Sequence, residues 1–286
     1  FTQYEYDITA TPNWIGLANF QRLWTDKVFW QTLGNTLLYL IGVVPPLIIL
    51  PLGLAILVNR KLRGINWFRT AFYTPVVISM VVAGIAWKAL YQNNGIFNQW
   101  LKQIATFIWQ KLYQDQGILP QLFQQLAGGL QPWLQQLMNE GIPWLTSPNW
   151  AIWSVMVVTI WKGLGYYMVI YLAGLQSISP ELYEAAAIDG SDGWRKHLDI
   201  TLPLMRPYLF LVGVISAISA SKVFEEIYIM TQGGPRNSSK TIVYYLYEQA
   251  FTDLDISYGC TMGLVLFLVI FILSIFNWRL GKNTTR

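Results

Sequence analysis

The chain has 286 residues, of which 54% are hydrophobic and 12% charged, with a mean hydropathy of +0.37. A soluble domain carries about a quarter of its residues as charges, so the composition points to lipid as the main solvent. The net charge of +4 needs no nucleic acid, because basic residues beside membrane spans account for it.

The single cysteine, Cys260, excludes an intrachain disulfide and a cysteine-based metal cluster. His197, standing alone without clustered carboxylates, argues against a zinc site.

Residues 1–28 are polar and aromatic, with Trp14, Phe20 and Trp24 suited to a headgroup boundary. The first hydrophobic span covers about 30–58, long enough to cross roughly 30 Å of hydrocarbon. Pro45, Pro46 and Pro51 interrupt its hydrogen bonding, which is tolerated where neighbouring helices bury the gap. The loop from Asn59 to Thr70 carries Arg60, Lys61, Arg63 and Arg69 and no acid, and so is expected in the cytoplasm. A second span follows at about 71–91, containing Pro75 and ending near Trp87 and Lys88.

Residues 93–148 are rich in glutamine, with amphipathic stretches at Phe97–Tyr113 and Leu119–Met138. These are too polar to span a membrane and apolar enough to lie along a surface. Lys102 and Lys111 are the only basic residues there, which fits the outer side. We expect an extracytoplasmic helical insertion that caps the protein, meets a partner or rests on the bilayer. The third span, about 150–174, contains Trp161-Lys162-Gly163-Leu164-Gly165-Tyr166-Tyr167. An intramembrane lysine has to face protein or water, and the glycines permit close helix approach.

Ser179 to Pro207 is a polar island that reads as two short helices. Ser179 caps the first, Pro180 suits its first position, Glu181 and Glu184 match its positive end, and Gly190 stops it. The second runs from Ser191 or Asp192 to Ile200, before Leu202-Pro203 and Arg206-Pro207. Ala185 to Ala187 leave one side with little bulk, which fits either a docking surface or plain helix propensity.

The fourth span, about 207–230, carries a polar stripe of Ser216, Ser219, Lys222 and Glu226, with Ser221 and Glu225 alongside. On a continuous helix Lys222 reaches Glu225 and Glu226 at i+3 and i+4. The stripe fits a wet cavity for a neutral polyhydroxylated solute, an internal salt bridge, or residues at the outer water boundary. Gly233-Gly234-Pro235 ends this span. A fifth, about 257–280, finishes in Arg279, Lys282 and Arg286, giving five spans with the N-terminus outside and the C-terminus inside.

Glu184-Ala185-Ala186, three residues, Gly190, nine residues, Ile200, one residue and Leu202-Pro203 resemble the EAA signature of membrane subunits of binding-protein-dependent ABC importers. Asn13 to Phe20 resembles the segment that follows the first span in the maltose and glycerol-phosphate branch. That match implies one further span upstream of Phe1, making six. Gly233-Gly234-Pro235, Thr241, Tyr244, Tyr247, Ala250 and Phe251 resemble the GGP…T…Y…Y…AF pattern of MalF/UgpA-type permeases. Phe224, Ile227, Tyr228 and Thr231 also follow the family, with Glu225 in place of its usual Asp. His197 departs from it, standing where the carbohydrate branch has an aromatic.

The resemblance implies an all-α integral membrane protein, the transmembrane domain of a type I ABC importer. It would be one domain over 1–286, with the insertion at 93–148 and a cytoplasmic coupling loop at 176–206. Glu184, Ala185, Ala186, Asp189, Gly190, Arg195, Ile200, Leu202 and Pro203 are the implied contacts with the ATPase. Lys162, Gly163, Tyr166, Ser219, Lys222, Glu225 and Glu226 are the candidate solute contacts. Implied partners are a second permease of the MalG/UgpE type, two ATPase subunits, an extracytoplasmic solute-binding protein and the lipid of a bacterial inner membrane.

No catalytic residue, metal or cofactor is expected on this chain, since it lacks a G-x-x-x-x-G-K-[ST] phosphate loop; ATP and Mg belong to the partner ATPase. Solutes left open are a disaccharide such as trehalose, sucrose or a maltose-like sugar, an osmolyte glycoside such as glucosylglycerol, and glycerol 3-phosphate. Two other functions use the same charges. An ion-coupled secondary transporter would relay protons through Lys222 and Glu225 or Glu226. A membrane-embedded glycosyl-transfer enzyme would use the carboxylates, although nothing at catalytic spacing supports it.

Overall fold

A computed structural model describes residues 1–3, 13–60, 63–111 and 129–284. Among the described residues the regular elements are helices, apart from one antiparallel pair of two-residue strands, β1 (Thr2–Gln3) and β2 (Asn13–Trp14). A short helix, α1 (Ala18–Thr25), leads into α2 (Lys27–Val58). Asp26 caps α2, its carboxylate accepting from the N–H groups of Val28 at 2.8 Å and Phe29 at 3.2 Å. The same carboxylate accepts from the hydroxyls of Tyr245 at 2.8 Å and Tyr258 at 2.6 Å, tying the start of α2 to elements far along the chain. Burial works against its ionisation, yet these four bonds hold the carboxyl below its usual range.

With 32 residues, α2 is about 48 Å long at 1.5 Å per residue. It runs unbroken through Pro45, Pro46 and Pro51. Its inner face packs on α7 (Ala151–Gln176) and α9 (Arg206–Ser221), where Tyr39, Val43, Val155, Met168, Tyr171 and Val212 form the centre of the core. Gly165 on α7 is needed for close approach: a Cβ there would lie 2.3 Å from the Phe72 carbonyl oxygen on α3 (Ile65–Val77).

The second predicted span is corrected. Helix α3 starts at Ile65, inside the basic loop expected at Asn59–Thr70, and the chain then bends by 97° into α4 (Met80–Leu90). The bend lies beyond Pro75, at Ile78 and Ser79, whose backbones are extended; Ser79 opens α4 by accepting from the Val82 N–H at 3.4 Å.

The fourth predicted span is also two helices. Its first part, α9, meets the preceding turns, His197–Leu204, at 58°, and the chain breaks again before α10 (Glu225–Met230). Among the described residues, α2 and α7 are long and apolar enough to cross a membrane alone, and the two bent pairs raise the number to four. Helix α12 (Ile256–Thr284) occupies the place of the fifth predicted span, with an apolar stretch at Ile256–Ile272. Between α10 and α12 lies α11 (Ile242–Tyr247).

Residues in the insertion form α5 (Ile96–Trp109) and α6 (Leu130–Asn139), packed on each other through Ala105, Leu134 and Leu137. Half of the predicted stretch Leu119–Met138, residues 119–128, lies outside the described residues. Asn98, fully buried, fastens the base of this hairpin. Its amide donates to the carbonyls of Gln92 at 3.2 Å and Ile142 at 3.1 Å, and its oxygen accepts from the Ile142 N–H at 2.9 Å and the Trp144 indole at 3.2 Å. All the amide's strong bonds go to the two stems, so Asn98→Ala strands several buried groups and costs about 3 kcal/mol locally. Hydrogen exchange should then accelerate in α5 and α6 and stay unchanged in α7; equal protection in both variants would refute the anchor.

Candidate functional site

Two features emerge, one at each end of α9. The first is the polar loop before it. Helix α8 (Pro180–Ile188) forms as read from the sequence, with Pro180 in its first turn and Glu181 near its positive end. Ser179 has the extended backbone of a cap, but its hydroxyl makes no capping bond, which corrects that expectation.

The stop is a Schellman turn. Gly190 takes φ of +83°, its N–H reaches the Ala187 carbonyl at 3.2 Å, and the Ser191 N–H reaches Ala186 at 2.8 Å. The three alanines do not share one open face: Ala186 is buried, while Glu184, Ala185, Ala187, Asp189 and Gly190 are exposed. Ile188, which sequence reading passed over, is 87% exposed and gives this face an apolar knob.

The second predicted helix, Ser191 or Asp192 to Ile200, is shifted toward the C-terminus. Turns at Gly193 and Trp194 precede it, Arg195 opens it, and a π-helical stretch (His197–Thr201) carries it through Leu202 and Pro203 to Leu204. Pro203 does not end it, because the prolyl ring falls in the first turn after the π stretch, where a missing N–H is harmless. The Thr201 hydroxyl meets the Tyr183 hydroxyl of α8 at 3.0 Å and His197 Nδ1 at 3.1 Å, and Ser191 donates to Asp199.

The second feature is a cavity of about 500 Å³ between α2, α7, α9 and the start of α10. Lys162, Gly163, Tyr166, Ser219, Lys222, Glu225 and Glu226, chosen from two distant stretches of sequence, all line it. Ser216 faces it as well, whereas Ser221 turns away and donates to the Ala217 carbonyl at 2.7 Å.

The expected i+3 and i+4 reach of Lys222, and with it the internal salt bridge among the three readings of the stripe, is corrected. Among the described residues no ion pair joins Lys222 to Glu225 or Glu226, because the helix ends at Lys222 and the i+3 and i+4 spacings no longer hold. Thr241 stabilises this break, its buried hydroxyl donating to the freed Val223 carbonyl at 3.1 Å. Glu226 sits instead within Coulombic reach of Lys162 on α7.

Tyr39 and Thr159, whose hydroxyls lie 2.5 Å apart, complete the wall and were missed in the sequence. The available signal was a hydroxyl in each of two apolar spans, with Thr159 one helical turn before Lys162. The wall therefore holds two lysines, two glutamates and several hydroxyls, balanced in formal charge.

A bundle of bent apolar helices around a polar cavity, with a capped polar loop at one end, defines a membrane-embedded permease domain. The family model for the inner membrane component of binding-protein-dependent transport systems matches residues 25–284, and the chain belongs to that family.

Among curated relatives, the lactose transport system permease LacF of Rhizobium radiobacter is 33% identical over 94% of this chain and 81% of its own length. The arabinooligosaccharides transport system permease AraP of Bacillus subtilis is 33% identical over 95% of this chain and 77% of its own. In fold, the chain resembles a bacterial ABC transporter involved in import of the acidic polysaccharide alginate. The TM-score is 0.77 at 22% identity, covering 96% of this chain and 85% of the other.

Proposed function

We propose that this chain is a permease subunit of an ATP-driven, binding-protein-dependent importer for a neutral sugar, polyol or osmolyte glycoside. The observation that carries this reading is the cavity. About 500 Å³ falls within the roughly 300–1,000 Å³ of small-molecule sites. Its hydroxyls, two amines and two carboxylates supply donors and acceptors at zero net charge, which suits a polyhydroxylated uncharged solute better than an acidic one. Carbohydrate transport by the relatives LacF and AraP points the same way.

In this reading the chain lines the path together with a second permease, and α8 with Gly190 seats in an ATPase subunit in the cytoplasm. Nucleotide-driven closure of two ATPase subunits moves the two loops. The cavity then opens outward to a solute-loaded binding protein, and hydrolysis resets it. The insertion lies on the extracytoplasmic side and the C-terminus in the cytoplasm. ATP and Mg act on the partner, so this chain contributes no catalytic group.

The test is uptake in proteoliposomes holding the purified complex and its binding protein, offered trehalose, sucrose, maltose or glucosylglycerol. Accumulation of one of these should require ATP on the side of the Ser179–Pro207 loop. Uptake sustained by a proton gradient without any ATPase would contradict the assignment.

A further inference from the structure

Beyond the solute cavity, the loop and the end of α2 enclose a second hollow of about 700 Å³. Arg60 and Asn59 from α2's end, Lys196 and His197 from the loop, and Tyr183 from α8 give it polar and basic walls. A narrower groove of about 210 Å³ adjoins it, bounded by Ile49, Leu52, Leu198 and Leu202. Gly53, Ile56, Trp194 and His197 line both, so the two spaces adjoin, and among the described residues neither has an acid in its lining.

From Arg60 to Ile49 along α2 is about 16 Å at 1.5 Å per residue, roughly half of a 30 Å hydrocarbon core. Mouth and groove together therefore climb about the depth of one leaflet. Its basic mouth opens where headgroups lie, with Trp194 at the rim 76% exposed.

We propose that these two spaces form a single site for an anionic phospholipid. Arg60 and Lys196 hold the headgroup phosphate, and one acyl chain lies in the groove between α2 and the π-helical stretch. Charge complementarity selects an anion, and the groove selects a lipid: a soluble phosphate would use the mouth and leave about 10 Å of apolar groove, from Ile56 to Ile49, unfilled.

The site also touches the coupling machinery, since His197 is bonded to Thr201 and Thr201 to Tyr183 of α8. A lipid seated there braces the wall on which α8 stands. The inference uses only the placement of α2 in a membrane and does not depend on which solute is carried.

The experiment is native mass spectrometry of the full permease in its purified complex, after exchange with phosphatidylglycerol, phosphatidylcholine or inorganic phosphate. Phosphatidylglycerol should be retained in preference to phosphatidylcholine and should resist displacement by phosphate. Arg60→Gln and Lys196→Gln should each lower its retention roughly fivefold, as expected for loss of one basic residue near the surface. Gly53→Leu tests the groove separately, because Gly53 lines it and a Cβ there meets nothing within 4 Å; it too should lower retention.

Equal retention of both lipids, unchanged retention in the Arg60→Gln/Lys196→Gln pair, or ready displacement by phosphate would overturn the proposal. So would a complex that retains no lipid because a protein segment covers the groove.

Discussion

Glu184→Lys is expected to leave the permease folded, inserted and able to receive its binding protein, while ATPase stimulation by the loaded binding protein disappears. Glu184 is exposed on α8 and contributes nothing to the core, so the reversal has little to disturb inside this chain. At an interface, loss of one partner of a close charge pair costs about 2–5 kcal/mol. Coupled uptake should therefore fall at least ~30-fold.

Gly190→Val is the companion variant. It puts a β-branched residue at φ of +83°, where only strain can hold it, and opens the Schellman turn that fixes the end of α8. Both variants should show the same signature in reconstituted complexes: basal hydrolysis retained, stimulation absent. Stimulated hydrolysis at the wild-type level in either would remove the coupling role from this loop.

The second large effect belongs to Glu226→Gln. It keeps shape and an amide oxygen but removes the charge that lies near Lys162. A hydrogen bond to a charged group contributes about 1.5–3 kcal/mol, so solute should be held in the cavity roughly 10- to 150-fold less well.

The half-saturating solute concentration is set largely by the binding protein and should move little. The change should appear as a lower maximal uptake with ATPase stimulation intact, that is, fewer solutes moved per ATP. This pattern is opposite to that of Glu184→Lys, which makes the two roles separable in one assay. Unchanged stoichiometry in Glu226→Gln would argue that the carboxylate only shapes the helix break.

What was legible in the sequence divides along the range of the interactions. In the Ser179–Pro207 loop the first helix and its stop could be read from the sequence, because a proline in the first turn and a glycine at φ of +83° act on their own neighbours, whereas the bounds of the second helix could not. The cavity residues were legible as a set, since polar side chains in an apolar span have to converge on something wet.

Their pairing was not legible. The break after Ser221 is held by Thr241, twenty residues on, and no local pattern around Lys222 announces it. The second span was read as one helix containing Pro75, but the chain turns beyond that proline, where Ser79 starts a new helix. Asn98 read as one polar residue among many glutamines; only the folded stems at Gln92 and Ile142 reveal it as a clasp.

The 58° elbow between the turns ending at Leu204 and the first turn of α9 has a mechanical corollary. Met205, wholly buried, sits at its vertex like a pivot pin. Ser219 stands fourteen positions further on, an arm of about 21 Å. If the elbow keeps its angle, a tilt of about 5° imposed on the short arm sweeps the long arm by about 2 Å, comparable with the helix shifts by which packed proteins switch state. Gearing of that ratio would let a small stroke at the loop end reset the shape of the cavity wall, with no change of secondary structure between them.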